Sequence, residues 1–74
     1  MTRILITNQI RRLRFEHREM TQQDLAEKIG VSRQTVNAIE TGKYWPSLEV
    51  AFRIADVFGQ RVDEVFTFEK GSRK

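Results

Sequence analysis

The 74-residue chain has no cysteine, a single proline, a single histidine, one tryptophan and four glycines. Without cysteine there is neither a disulfide framework nor a thiolate zinc site, so apolar packing alone must hold the fold, as suits a reducing cytoplasm. The lone histidine, His17, has no second histidine or suitably spaced acid beside it, and no metal ion is expected. Long apolar stretches are also missing. Ile4-Leu5-Ile6, preceded only by Arg3, falls far short of the roughly 18 residues that a membrane span requires, so neither a leader peptide nor a membrane anchor is expected. A chain of this size buries only about 60% of its unfolded surface, which leaves little room for both a core and an enclosed substrate cavity. The parts of a catalytic centre are absent too. Glu16 with His17, and Asp63 with Glu64, are sequence neighbours that cannot face each other on a helix, and the glycines are scattered rather than gathered into a phosphate-cradling loop. No enzyme, cofactor or small-molecule effector is expected.

What remains is one small basic domain. Thirteen Lys and Arg against ten Asp and Glu give a net charge of +3, a balance that leans toward an anionic partner. Gly30, Gly42 and Gly59 each follow an apolar-periodic stretch and divide the chain into short helices. Ile6, Ile10, Leu13 and His17 recur at helical spacing and predict a first helix starting near Thr7 or Asn8. Thr21 with Asp24 makes a capping box for a second helix whose inner face is Leu25, Ala26 and Ile29. Ser32 caps a third helix that turns Val36 and Ile39 inward and ends at Thr41-Gly42. Pro46 sets Lys43-Tyr44-Trp45-Pro46 as a loop and leaves Ser47 to cap a fourth helix, with Leu48, Ala51, Phe52, Ala55 and Phe58 at offsets of three and four. A short helix over 62–66 closes the core with Val65 and Phe66. Arg3 to Ile6 and Val65 to Phe68 are β-prone and able to pair within one chain or across a dimer. Trp45 is expected to cap the edge of the core, and Phe52, Phe58, Phe66 and Phe68 to serve as core or dimer surface.

Two capped helices of about ten residues, Thr21 to Gly30 and Ser32 to Thr41, are too close in sequence for anything but a sharp corner. That is the helix-turn-helix arrangement. Its second helix must be apolar toward its partner and polar at its N-terminal end, where side chains reach base edges in the major groove, and the run from Ser32 to Ile39 reads that way.

The whole stretch from Thr21 to Lys43, continued by Pro46-Ser47-Leu48, Ala51, Ile54-Ala55 and Phe58-Gly59, resembles the Cro/C1-type, or XRE, family of helix-turn-helix regulators. The resemblance covers most of the chain and implies a compact, all-α, five-helix domain that binds operator DNA, commonly as a dimer. One departure concerns the turn between the first two helices. The family often has a glycine there, whereas this chain has Arg18-Glu19-Met20 in a link one residue longer.

Side-chain chemistry then distributes the roles. The planar fork of Arg33 suits guanine O6 and N7, the Gln34 amide suits adenine N6 and N7, Thr35 and Asn37 are further polar candidates, and Ala38 allows close approach to a thymine methyl. The resemblance implies phosphate contacts from Gln22, whose amide would also buttress the reader helix, and from Ser32, Lys43 and Tyr44. It also implies a structural ion pair between Arg14 and Glu40, with Arg11 and Arg18 as the other arginines able to take that place. The resulting expectation is a domain over residues 1–69 with its motif at 21–41, and a mobile basic tail over 70–74. Function would be that of a cytoplasmic, homodimeric DNA-binding repressor on a pseudo-palindromic operator. The alternative is an antitoxin-type protein-interaction module that also binds its own promoter, although no long arm for wrapping a toxin is evident.

Overall fold

The computed structural model describes residues 4–70. In chain order these form strand β1 (Ile4–Asn8), helices α1 (Ile10–Glu16), α2 (Gln22–Ile29), α3 (Arg33–Glu40), α4 (Leu48–Phe58) and α5 (Val62–Val65), and strand β2 (Phe66–Lys70). The five helices surround one core, and the two strands pair with each other as an antiparallel ribbon, Ile6 opposite Phe68 and Asn8 opposite Phe66. The β-prone ends thus pair within one chain. Lys70 is the last residue of β2, while Met1 to Arg3 and 71–74, most of the proposed tail, lie outside the described residues.

Local chemistry explains the helix limits. At α2 the Thr21 hydroxyl accepts from the Asp24 amide at 2.9 Å while the Asp24 carboxylate accepts from the Thr21 amide at 3.1 Å. This reciprocal box holds the Asp24 carboxyl below its usual range, because the Thr21 backbone and hydroxyl bonds both favour the charged form. Ser32 and Ser47 cap α3 and α4 by accepting from the Thr35 and Val50 amides. Gly30 ends α2 at φ 79°, a left-handed conformation in which a side chain would be strained. There the Arg53 guanidinium reaches across from α4 to donate to the Ile29 carbonyl at 3.2 Å, satisfying an end group of α2.

The core is built from Ile10 and Leu13 of α1, Leu25, Ala26 and Ile29 of α2, Val36 and Ile39 of α3, Ile54, Ala55 and Phe58 of α4, and Val65 of α5. The His17 ring stands edge-on to Phe58 with centroids 5.1 Å apart and shares a hydrogen bond with the Leu13 carbonyl.

Three expectations need correction. The first helix starts at Ile10, not Thr7 or Asn8, because pairing with β2 holds residues 4–8 extended. Asn8 instead accepts from the Ile10 amide just beyond the strand. Leu48 and Phe52 face solvent: at 100° per residue they lie about 70° and 110° round from the stripe of Ala51, Ile54, Ala55 and Phe58 that α4 buries. Of the phenylalanines expected as core or dimer surface, Phe58 is buried and Phe66 half-buried, whereas Phe68, two residues beyond Phe66 on the same side of β2, is exposed. Trp45 is also exposed rather than packed on the core edge, where Pro46 and Val50 take the half-buried positions. The unusual link after α1 is made without glycine: Arg18 and Glu19 both adopt left-handed φ, 59° and 53°, and the chain turns back with the Met20 amide on the Arg14 carbonyl.

Candidate nucleic-acid interface

Helices α2 and α3 pack against each other across a short corner made of Gly30, the half-buried Val31 and the capping Ser32. Val36 and Ile39 fasten α3 to the core. On a helix of 3.6 residues per turn, the side opposite those two carries Gln34, Asn37 and Thr41, with Arg33 at its leading edge, and all four are exposed. Ala38 is half-buried on the flank of that side. Thr35, three residues before Ala38, lies on the same flank and nearer the core, half-buried, with its hydroxyl 2.9 Å from the Ser32 hydroxyl at the start of the helix. The structure therefore groups Arg33, Gln34 and Asn37 on one outward strip and sets Thr35 apart from it.

Glu40 is the acid of α3, and it points inward. Its carboxylate receives Arg14 Nε at 2.5 Å and Nη2 at 3.2 Å, while the remaining arm of Arg14 donates to the Met20 carbonyl at 2.7 Å. The two side chains are 16% and 7% exposed, so the pair is largely removed from water. Arg14, and neither Arg11 nor Arg18, occupies this place. Turning Glu40 inward leaves the outer strip of α3 without negative charge, which is the condition for approaching a polyanion.

Gln22, at the first position of α2, extends this network. Its Nε2 donates to Asn37 Oδ1 at 3.1 Å and to Glu40 Oε1 at 3.2 Å, so both amide hydrogens serve α3. Lys43 and Tyr44 follow α3 in an exposed loop whose path is fixed by their backbone amides, both of which donate to the Ala38 carbonyl. Two supports went unseen in the sequence. Asn8 Nδ2 donates to the Ile39 and Glu40 carbonyls at 3.1 and 3.4 Å, tying the terminal ribbon to the end of α3, and Arg53 holds the end of α2 as described. A polar residue far away in sequence that satisfies a helix carbonyl leaves no periodic trace, and only the shortage of partners for those carbonyls pointed to such contacts.

A sharply cornered pair of helices, the second held by core contacts at its back and by a buried ion pair at its end, defines a helix-turn-helix module. A family model described as helix-turn-helix matches residues 10–65, and the chain belongs to the Cro/C1-type helix-turn-helix family of transcriptional regulators. Among its relatives is an uncharacterised helix-turn-helix transcriptional regulator of Methanocaldococcus jannaschii, 52% identical over 84% of this chain and 92% of that one. Another, from Methanothermobacter thermautotrophicus, is 42% identical over 88% of this chain and the whole of its own. A crystal structure of a proposed DNA-binding protein from Bacteroides fragilis shares the fold, with a TM-score of 0.72 at 22% identity over 85% of this chain and all of that one.

Proposed function

We propose that the chain is a sequence-specific double-stranded DNA-binding regulator that lays α3 in the major groove, works from the cytoplasm as a homodimer on a pseudo-palindromic operator, and represses where that operator overlaps a promoter. The observation that carries this reading is the outward strip of α3, where Arg33, Gln34 and Asn37 stand exposed while Glu40 is withdrawn into the Arg14 pair. In it Arg33 takes guanine and Gln34 adenine through paired hydrogen bonds, Asn37 adds a further polar contact, Ala38 admits a thymine methyl, and Thr35 contributes from the flank. Lys43 and Tyr44 meet the phosphates beyond the end of α3, and Ser32 those at its start. Gln22 acts on phosphate through its backbone N–H at the free start of α2, because its side-chain hydrogens already brace Asn37 and Glu40. Residues 1–69 form the DNA-binding domain.

Dimerisation follows from the small reach of one module. A single α3 contacts too few base pairs for tight specific binding, and two copies reading half-sites about 34 Å apart double the contacts. The reading is supported by the family's regulators and by the withdrawal of acid from the exposed helix face. In vitro selection of duplexes at stated salt tests it. A recovered palindrome with half-sites one helical turn apart is expected, and a selected pool that binds no better than random duplex would overturn it.

A further inference from the structure

Large apolar side chains that the core does not use are concentrated at the start of α4: Trp45 is 60% exposed, Leu48 72% and Phe52 58%. Leu48 and Phe52 are one turn apart on the same helix face, and Trp45 precedes them in the loop that leads into α4. Beside Phe52 runs a groove between α4 and α5, lined by Phe52, Ala55 and Val62 and rimmed by Asp56, Arg61 and Asp63. The buried stripe of α4 is complete without these residues, and the Glu49–Arg53 pair supplies polar cover elsewhere on the helix.

We propose that this face of α4 is the surface through which two copies of the chain associate. A ridge, Leu48 and Phe52, and a groove occur side by side, so a two-fold axis can seat the ridge of each copy in the groove of the other, the self-complementarity that an isologous interface requires. The rim carries both charge signs, so a rotated copy can meet acid with base. The three side chains hold on the order of 350 Å² of apolar surface, taking roughly 150–250 Å² for a whole aromatic side chain. That is close to half of the ~800 Å² each partner contributes to a standard interface, and it matches the apolar centre of one, with the groove rim as its polar border. Only the loop 41–46 separates this face from α3, so an axis through it sets two α3 helices as neighbours, as two half-sites of one operator demand. This deepens the two-fold reading given above and rests on it for the choice of a second copy as occupant.

Sedimentation of the unmutated chain beside the double variant L48E/F52E tests the surface. The parent is expected to sediment as a dimer, and the variant to associate about a hundredfold more weakly or worse, because dimerisation would bury unpaired carboxylates. A parent that is monomeric at every concentration, or a variant that dimerises as the parent does, overturns the proposal. Both replaced side chains are exposed in the single chain, so the variant should keep the parent's circular-dichroism spectrum, with its melt lower only by the stability that association adds. If it does not fold, a dilution series on the parent decides alone, since Trp45 is the sole tryptophan. Its emission should shift to longer wavelength as the dimer dissociates. Emission that responds to duplex and not to protein concentration would assign the patch to DNA and overturn the proposal. A dimer disrupted by L48E/F52E that binds no duplex would support this surface while overturning the operator reading.

Discussion

Arg14 and Glu40 show how one interaction serves both stability and recognition. The pair is largely buried, so removing one partner strands the other charge in a poor solvent. Glu40→Gln is expected to cost about 3–5 kcal/mol, the range for breaking a buried pair, read from urea unfolding. Arg33 lies at the opposite extreme, exposed and without a structural duty. Arg33→Ala should leave the unfolding midpoint unchanged, cost about 1–3 kcal/mol on the preferred duplex and flatten discrimination at one base position. Equal weakening on selected and random duplexes would remove it from the base readers. Glu19 carries a conformation that residues with a Cβ avoid, at φ 53°. Glu19→Gly should therefore stabilise the chain by about 0.5–1 kcal/mol, the relief of left-handed strain less the added freedom of the unfolded chain, and a melting temperature that falls would contradict this. The strain was not legible in the sequence, where Arg18-Glu19-Met20 showed only that a glycine was missing from the turn.

Elements whose signals are local were legible, and those decided by distant partners were not. The caps at Thr21, Ser32 and Ser47 act over three residues, and the structure places each where the pattern put it. Strand β1 competes with a helical reading of Ile6, Ile10 and Leu13, and its pairing with β2, more than 50 residues away, decides the outcome. On α4 the apolar residues extend around more than one face, so periodicity could not say which side the core would take. Of the site, the outward strip of α3 was readable, because polarity at fixed offsets from Val36 and Ile39 reports direction. The bonds from Gln22 to α3, and from Asn8 to its end, were not. The capping box of α2 also carries a pH dependence. The Asp24 carboxyl is held below its usual value in the folded chain, so its contribution is whole above the unfolded side chain's pKa of about 3.8 and is lost as pH falls through the lower folded value. Asp24→Asn should reduce this part of the acid-side loss of stability, and parallel acid unfolding curves for variant and parent would argue against it.

At the scale of the whole molecule, a formal charge of +3 is small, so binding to DNA must depend on where the cations stand rather than on how many there are. Lys43 and Arg33 sit at opposite ends of α3. Lys43→Ala should weaken all duplexes nearly alike and lower the magnitude of the salt slope by about one; an unchanged slope would place Lys43 off the phosphates. The antiparallel ribbon has a further consequence. Because Ile4 lies directly across from Lys70, the polypeptide enters and leaves the folded body at almost one point. The domain can therefore be spliced into a surface loop of an unrelated host as a pendant cassette, or be joined between residues 4 and 70 and opened elsewhere, without stretching the backbone at the junction.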